Sequence, residues 1–414
     1  MRSRTTINWN QLGVKLRTEM KTIFPKPGLA KKAVVQLARL YSTTLPRPTE
    51  IIPPTESSSL RILVHSQGGI GNTLMATPLL AGMRLVYPNA QIDLLVPPVT
   101  AELLKSNTRV NRIISDQGGY DYSLRRYLQK VREIYKTRYD AVVQPLNAIV
   151  LRFAIRSAIA RVPVRISHRY NFDRLDDFSF IHSRTIAKES GVHDVVNNMQ
   201  LLELLSGTSV CPGPLELSVS NREIDAFKQS APDEFMSASY RVGIFPGSST
   251  WMSFKRWPID KYIALAKEIC SSLPGSRICV FYGPDEDRSD ISNWRSEIDC
   301  NRLQIFDSLS LDSYAAAVSQ LNIVIANDSL PMHLACALQR PVVALFGPTD
   351  PVATGPWMSH SRIVTPSEDY PPYFRMPYPL HPAQFPNYMD AIPVERVMTA
   401  VTEILATPST SDFS

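Results

Sequence analysis

Three short stretches of this 414-residue chain combine residue types able to handle a charged leaving group. In "FPGSSTWMSFKRWP" (Phe245–Pro258) an apolar run ends in Pro-Gly, and the hydroxyl residues Ser248, Ser249 and Thr250 precede Lys255 and Arg256. Small residues and hydroxyls at a strand end, with an ammonium close by, suit a diphosphate. Lys255 could neutralise charge that grows on a departing group. A solvated basic loop is the plainer alternative, but it gives the Trp257-Pro258 anchor no purpose. In "NDSLPMHLACALQRPVVALFGPTDP" (Asn327–Pro351), Asp328 or Ser329 can cap a helix with Pro331 in its first turn. The N–H groups of such a turn, backed by the helix dipole, favour phosphate. Any α/β protein has capped helices, so on spacing alone the structural cap is the simpler reading. His333, one turn in, reads on the same ground as a packing residue. The third stretch, "SQGGIGNTLMATP" (Ser66–Pro78), is a strand end, a glycine-rich turn and a helix start. It fails as a dinucleotide fingerprint: Gly69-x-Gly71-x-x-Leu74 lacks the third glycine, and Asp93 falls inside its strand rather than at the end.

The elements that must carry these stretches alternate. From Arg61, the apolar runs at 62–64, 92–96, 112–114 and 139–143 alternate with helical periodicity at 73–86, 123–137 and 147–160. Periodicity stops in "SGTSVCPGPLELSVS" (206–220), which reads as a linker. It restarts with strands at 242–245, 278–283, 303–306, 322–326 and 342–346, and helices at 259–271, 311–320 and from about Leu330. Two such series predict an α/β protein with two Rossmann-like domains facing across a cleft. The expected divisions are 1–58, a basic N-terminal extension; 59–220, the first domain; and 221–414, the second, with a final helix.

Composition narrows the class. A hydrophobic fraction of 44% and a charged fraction of 20% are those of a globular protein. Five cysteines without a C-x-x-C pair point to a reducing compartment rather than a disulfide framework or zinc site. No run of 18 apolar residues exists, and the N-terminus lacks an apolar core of signal type. Residues 1–59 hold ten Lys/Arg against three Glu, a net +7 of the chain's +6. Within them Trp9, Leu12, Leu16, Met20, Ile23 and Phe24 recur at helical spacing. An extension packed on the core, a basic amphipathic segment on an anionic membrane and a mitochondrial presequence are the readings left open.

Taken in order, these stretches resemble glycosyltransferase family 9, the lipopolysaccharide heptosyltransferase-like enzymes. The similarity spans about Arg61 to Leu405 and includes "RILVHSQGGIGNTLMATPLL", "VYPNAQIDLLV", "HDVVNNMQLLELLSG" (193–207) and "YMDAIPVERVMTAVTEIL" as well as the two loops above. The resemblance implies a GT-B fold and inverting sugar transfer from a nucleotide-activated donor, without metal or other cofactor. The best-known members use ADP-heptose and a lipopolysaccharide-core acceptor. By the same resemblance an ADP-sugar would bind the second domain through Ser249, Thr250, Lys255, Asp328, Ser329 and His333. An acid of "GPDED", with Asp287 the candidate, would lie near the nucleoside. Gly69, Gly71 and Asn72 would meet the acceptor. Two departures stand out. Leu330 occupies a position usually held by glycine. Asn72 occupies that of the aspartate proposed to take the acceptor's proton, and an amide has no proton affinity near pH 7. Another carboxylate or His65 then acts as base, the acceptor's own anionic group does so, or there is no transfer; Lys255 and Asn72 are the catalytic candidates.

Between Arg125 and Arg169 eleven Lys/Arg face only Glu133 and Asp140. This suits an anionic glycan or glycolipid acceptor or a membrane surface, although a solvated helix face explains part of it. No nucleic-acid module accompanies the charge. The expected protein is a cytoplasmic enzyme, peripheral to the membrane, serving the cell envelope. Its rivals are a sugar-nucleotide-binding protein with weak or lost catalysis, and a GT-B relative such as a sugar-nucleotide epimerase.

Overall fold

The computed structural model describes residues 36, 38–45, 47–48, 50–54, 60–117, 124–146, 151–170, 178–283, 288–367 and 388–406. The Trp9–Phe24 stripe and Asp287 lie outside the described residues.

The first half of the chain runs β1 (Arg61–His65), α1 (Ile70–Leu74), α2 (Thr77–Val86), β2 (Gln91–Val96), α3 (Pro98–Leu103) and β3 (Arg112–Ser115). It continues with α4 (Leu124–Thr137), β4 (Ala141–Gln144), α5 (Leu151–Ile159), β5 (Val164–Arg169), β6 (Arg184–Ala187) and α6 (Asp194–Ser206). The second half runs α7 (Asn221–Ser230), α8 (Asp233–Ser237), β7 (Tyr240–Phe245), α9 (Ile259–Ser272), β8 (Ser276–Phe281), α10 (Ile291–Glu297) and β9 (Leu303–Phe306). It ends with α11 (Leu311–Ser319), β10 (Ile323–Asn327), α12 (Leu330–Ala337), β11 (Val342–Leu345), α13 (Pro351–Thr354), β12 (Ser361–Val364) and α14 (Val394–Ala406).

The strands form two six-stranded parallel sheets, ordered β3-β2-β1-β4-β5-β6 and β12-β11-β10-β7-β8-β9. Val64 of β1 pairs with Leu94 and Val143, and Ile325 of β10 with Ile244 and Val343. Central strands are covered on both faces, which is why they read as unbroken apolar runs. The strand order reverses between β1 and β4 in one sheet and between β7 and β10 in the other. Ligands of such sheets bind beyond the carboxyl ends of the strands at that switch point. The three chemistry-bearing stretches follow β1, β7 and β10, so all three stand at switch points.

Three details differ from the expected pattern. The 73–86 run is two helices, because Pro78 is tolerated only in a first turn and α2 therefore starts afresh at Thr77. β5 carries Arg165, Ser167 and His168 and shows no apolar run. It is nonetheless buried, since the Arg165 guanidinium donates to the carbonyls of Ile181, Val162 and Pro163. β6 and β12 are short and half-covered, without a periodicity to reveal them.

Candidate active site at the facing switch points

In the second half Asn327 joins the two loops. Its buried side-chain oxygen accepts from Trp257 N at 3.1 Å and Tyr262 Oη at 3.0 Å, while its Nδ2 donates to Pro246 O at 2.9 Å. Trp257 is itself buried, with its indole N–H on Ile392 O at 3.1 Å. This is the purpose of the Trp-Pro anchor: it pins the far end of the 246–258 loop beside β10. Arg256 braces the same loop from within, donating to Ser248 O at 2.6 Å, and Ser248 Oγ donates to Met252 O at 3.0 Å. Ser249 is exposed at the start of the kinked 3₁₀ segment Thr250–Lys255 and caps it with no side-chain bond.

Lys255 Nζ then meets Asp328 Oδ2 at 2.6 Å, with both side chains largely buried. This corrects the capping expectation. Asp328 turns to Lys255, and Ser329, at the N-cap, makes no side-chain cap because its hydroxyl donates to Asn327 O at 3.3 Å. The first turn of α12 is thus left without a side-chain cap, with the Lys255 amine held beside it by Asp328. Leu330, the first residue of that helix, packs half-buried against the main apolar cluster.

The first half meets this arrangement through its glycine turn. The Ser66 and Thr73 hydroxyls lie 3.0 Å apart and close the turn. Gly69 is exposed at the N-cap of α1, and a β-carbon there would touch nothing within 4 Å. At Gly71 a β-carbon would lie 2.7 Å from His333 Cδ2, so α1 packs directly on α12. Asn72 is half-buried on the same turn. His333 is buried, and its Nδ1 has no hydrogen-bond partner. Burial pushes it down to about 4, with Lys255 and His193 acting in the same sense and Asp328 opposing.

Residue order assigns no role to His193 and Asp194, which open α6. His193 caps α6: its Nδ1 accepts from Val195 N at 3.1 Å, which fixes the proton on Nε2, and Nε2 donates to Gly355 O at 3.0 Å. Its ring lies 4.7 Å from that of Trp357, whose indole N–H donates to Gly213 O. One turn into α6, Asn198 donates to Met75 O at 3.3 Å, just past α1. Asp194, between them and buried, pairs with Lys188 at 2.8 Å. Burial raises its carboxyl above the usual range, with Asp350 adding to the rise and Lys188 and His193 opposing it. A His-Asp pair opening an apolar helical run was the available signal.

His65 lies in the core rather than at the turn's surface, and its burial argues against a part as base. It is 1% exposed, accepts from Gln144 Nε2 at Nδ1 (3.2 Å), and packs edge-on to Phe153. Burial, reinforced by Arg156, holds it neutral well below its ordinary range. Gln144 in turn accepts from His182 Nε2, so the three residues form a core network. Among the described residues no group of three or more His, Cys, Asp or Glu side chains could hold a metal ion.

Two parallel Rossmann-like sheets, joined where α1 packs on α12 beside their switch-point loops, make up a GT-B fold. The model of glycosyltransferase family 9 (heptosyltransferase) matches residues 127–383, more than half of the chain. The chain belongs to that family and is a glycosyltransferase. It is similar to lipopolysaccharide heptosyltransferase 2 of Escherichia coli (strain K12), at 26% identity over 74% of this chain and 88% of that protein. It is also similar to lipopolysaccharide heptosyltransferase 3 of the same strain, at 24% identity over 81% and 95%. In fold it resembles the E. coli ADP-heptose heptosyltransferase II structure (TM-score 0.65, 22% identity, 84% of this chain and 98% of that one). A family 9 glycosyltransferase of Veillonella parvula superposes similarly (TM-score 0.68, 20% identity, 85% and 98%).

Proposed function

We propose that this enzyme moves a heptose from ADP-heptose to an anionic lipopolysaccharide-core acceptor, with inversion and without a metal ion. The observation that carries the reading is the Lys255–Asp328 pair beside the uncapped start of α12. A donor diphosphate placed there would meet a cation, backbone N–H groups and a helix dipole, the set that stabilises a departing nucleoside diphosphate. The curated relatives are heptosyltransferases, and one solved relative is described as using ADP-heptose. In this reading residues 221–414 form the donor domain and 59–220 the acceptor domain.

Asp328 then has a revised part. A carboxylate repels diphosphate, so its contribution is to hold Lys255 in place rather than to touch the donor. Ser249, Thr250, Ser329 and His333 are assigned to the donor, and the family resemblance assigns Asp287 to its nucleoside. Gly69 gives the acceptor a bare backbone, Gly71 lets the turn close on His333, and Asn72 orients the attacking hydroxyl. The proton goes to Asp194, at the start of α6, whose carboxyl burial raises above its ordinary range.

The enzyme works on the cytoplasmic side, attached to the membrane in part through residues 1–42. No helix among the described residues is long and apolar enough to cross a membrane. A second reading rests on Asn72: with no base at that position, the protein binds sugar nucleotide and transfers slowly or not at all. Thermal-shift screening against ADP, UDP, GDP and CMP sugars tests the donor. An ADP-sugar at about 100 times its dissociation constant adds roughly 2.7 kcal/mol, and the other nucleotides little. Preference for a different nucleotide would refute the ADP assignment.

A further inference from the structure

We infer that the outer face of α4, α5 and the helical segment 38–42 is a docking surface for an anionic lipid bilayer. These three elements form one layer. α4 packs on α5, Tyr41 Oη donates to Ala158 O at 3.4 Å, and Ala38 clusters with Ala154 and Ala158. On α4, Val131 and Ile134 face the core, while Arg125, Leu128, Arg132 and Tyr135 follow one another at helical spacing and are all exposed. Leu128 is 50% and Tyr135 54% exposed.

The rest of the layer continues the pattern. Of the ten exposed large apolar side chains among the described residues, five sit on this layer: Leu40, Tyr41, Leu128, Tyr135 and Ile159. Exposed cations lie among them, Lys136, Arg138 and Arg161 besides those on the α4 stripe. No exposed acid lies on these three elements. Glu133, half-buried, is engaged by Lys130 at 2.7 Å. A solvated helix face would mix both signs of charge, and large apolar groups gathered on one layer mark an interaction surface. Interleaved cations and large apolar groups match a lipid interface, where the apolar groups enter the headgroup boundary and the cations meet anionic lipid.

The chain that leads into this layer has the same chemistry in its sequence. Residues 1–35 hold eight Lys/Arg, one acid (Glu19) and the Trp9–Phe24 apolar stripe. The face commits to bilayer rather than nucleic acid because three of its five exposed apolar groups are aliphatic and its two tyrosines, Tyr41 and Tyr135, sit on separate elements rather than as one stacking platform.

The test is flotation of the full-length protein with vesicles of phosphatidylcholine, with and without phosphatidylglycerol. The wild type is expected to float with the anionic vesicles, to release in high salt and to ignore the neutral ones. The triple variant Arg125→Glu, Arg132→Glu, Lys136→Glu should lose at least about 10-fold in partitioning, since each cation near an anionic surface contributes about 5-fold. Leu128→Ser with Tyr135→Ser should lose several-fold. All five side chains are exposed, so melting temperature should hold. If the triple variant misfolds, the glutamine versions at the same positions replace it and should lose less, in the same direction. Unchanged flotation of folded variants would overturn the inference by assigning attachment to residues 1–35 alone. Equal binding to neutral vesicles, or binding to RNA but not to vesicles, would overturn it as well.

Discussion

Gly71 of the first sheet's glycine turn and His333 of helix α12 stand so close that a β-carbon at Gly71 would lie 2.7 Å from His333 Cδ2. The requirement is for room rather than for a glycine-only backbone, because Gly71 is not among the residues with positive φ. The imidazole cannot easily retreat, being buried on a packed helix. This contact sets how nearly the two switch points approach.

Gly71→Ala should therefore force the turn and α12 apart while leaving each sheet intact. We expect kcat/KM to fall at least about 10-fold, consistent with the sensitivity of transfer to small misplacements. The double variant with His333→Ala should recover part of the loss. Steady-state kinetics of the four proteins check this, and additive losses would break the steric account.

Lys255→Ala should lower turnover by about 10²-fold or more with the fold retained. Asp328→Asn separates positioning from contact. If Asp328 only holds Lys255, the variant loses turnover by about 10-fold but binds ADP as well as the wild type. ADP titration beside kcat decides, and a parallel loss of ADP affinity would place Asp328 on the donor.

The proton acceptor has its own pair of variants. Asp194→Asn should reduce turnover by about 10² to 10⁴-fold, the usual contribution of a general base. Its carboxyl, faced by Lys188, His193 and Asp350, sits above the ordinary range, and a base works only when deprotonated. Wild-type activity should thus rise with pH through that raised value, and the limb should vanish in Asp194→Asn. Asn72→Asp, if it raises the rate tenfold or more, would instead mean that the native turn lacks a base and the enzyme is weakened there.

Stability should fall on acidification from near pH 6.5. Burial holds His333, His182 and His168 each at about 4, below the value near 6.5 of an unfolded chain. Between those values the unfolded chain binds more protons, so the stability present above pH 6.5 is lost as pH falls toward 4, by at most about 1.4 kcal/mol per pH unit for each histidine. Melting temperature against pH should show the drop, and His182→Gln, which keeps a partner for Gln144, should flatten it. A flat wild-type curve over this window would contradict the burial account.

Much of this arrangement could be read from residue order. The two-sheet fold followed from continuous apolar strands alternating with helical periods, and the loops after β1, β7 and β10 from the Pro, Gly and hydroxyl residues that end those runs. The joining of those loops could not be read, because it depends on long-range pairing. Asn327 looked like a strand end, yet its amide ties Trp257 and Pro246 across the sheet. Asp328 looked like a helix cap until Lys255 arrived from the neighbouring loop. His65 looked available as a base because its neighbours Gln144 and Phe153 come from β4 and α5. The surroundings of His193 and Asp194 could not be read in residue order because Gly355 and Trp357, which His193 meets, and Asp350, whose charge acts on Asp194, lie on the far half of the chain.

The most direct measurement incubates the full-length protein with ADP-heptose and a heptose-deficient lipopolysaccharide core, following acceptor mass and ADP release together. The account predicts that the acceptor gains one heptose for each ADP released, and that Lys255→Ala slows both by about 10²-fold or more. Donor binding with no transferred heptose, or equal ADP release by wild type and Lys255→Ala, would contradict it.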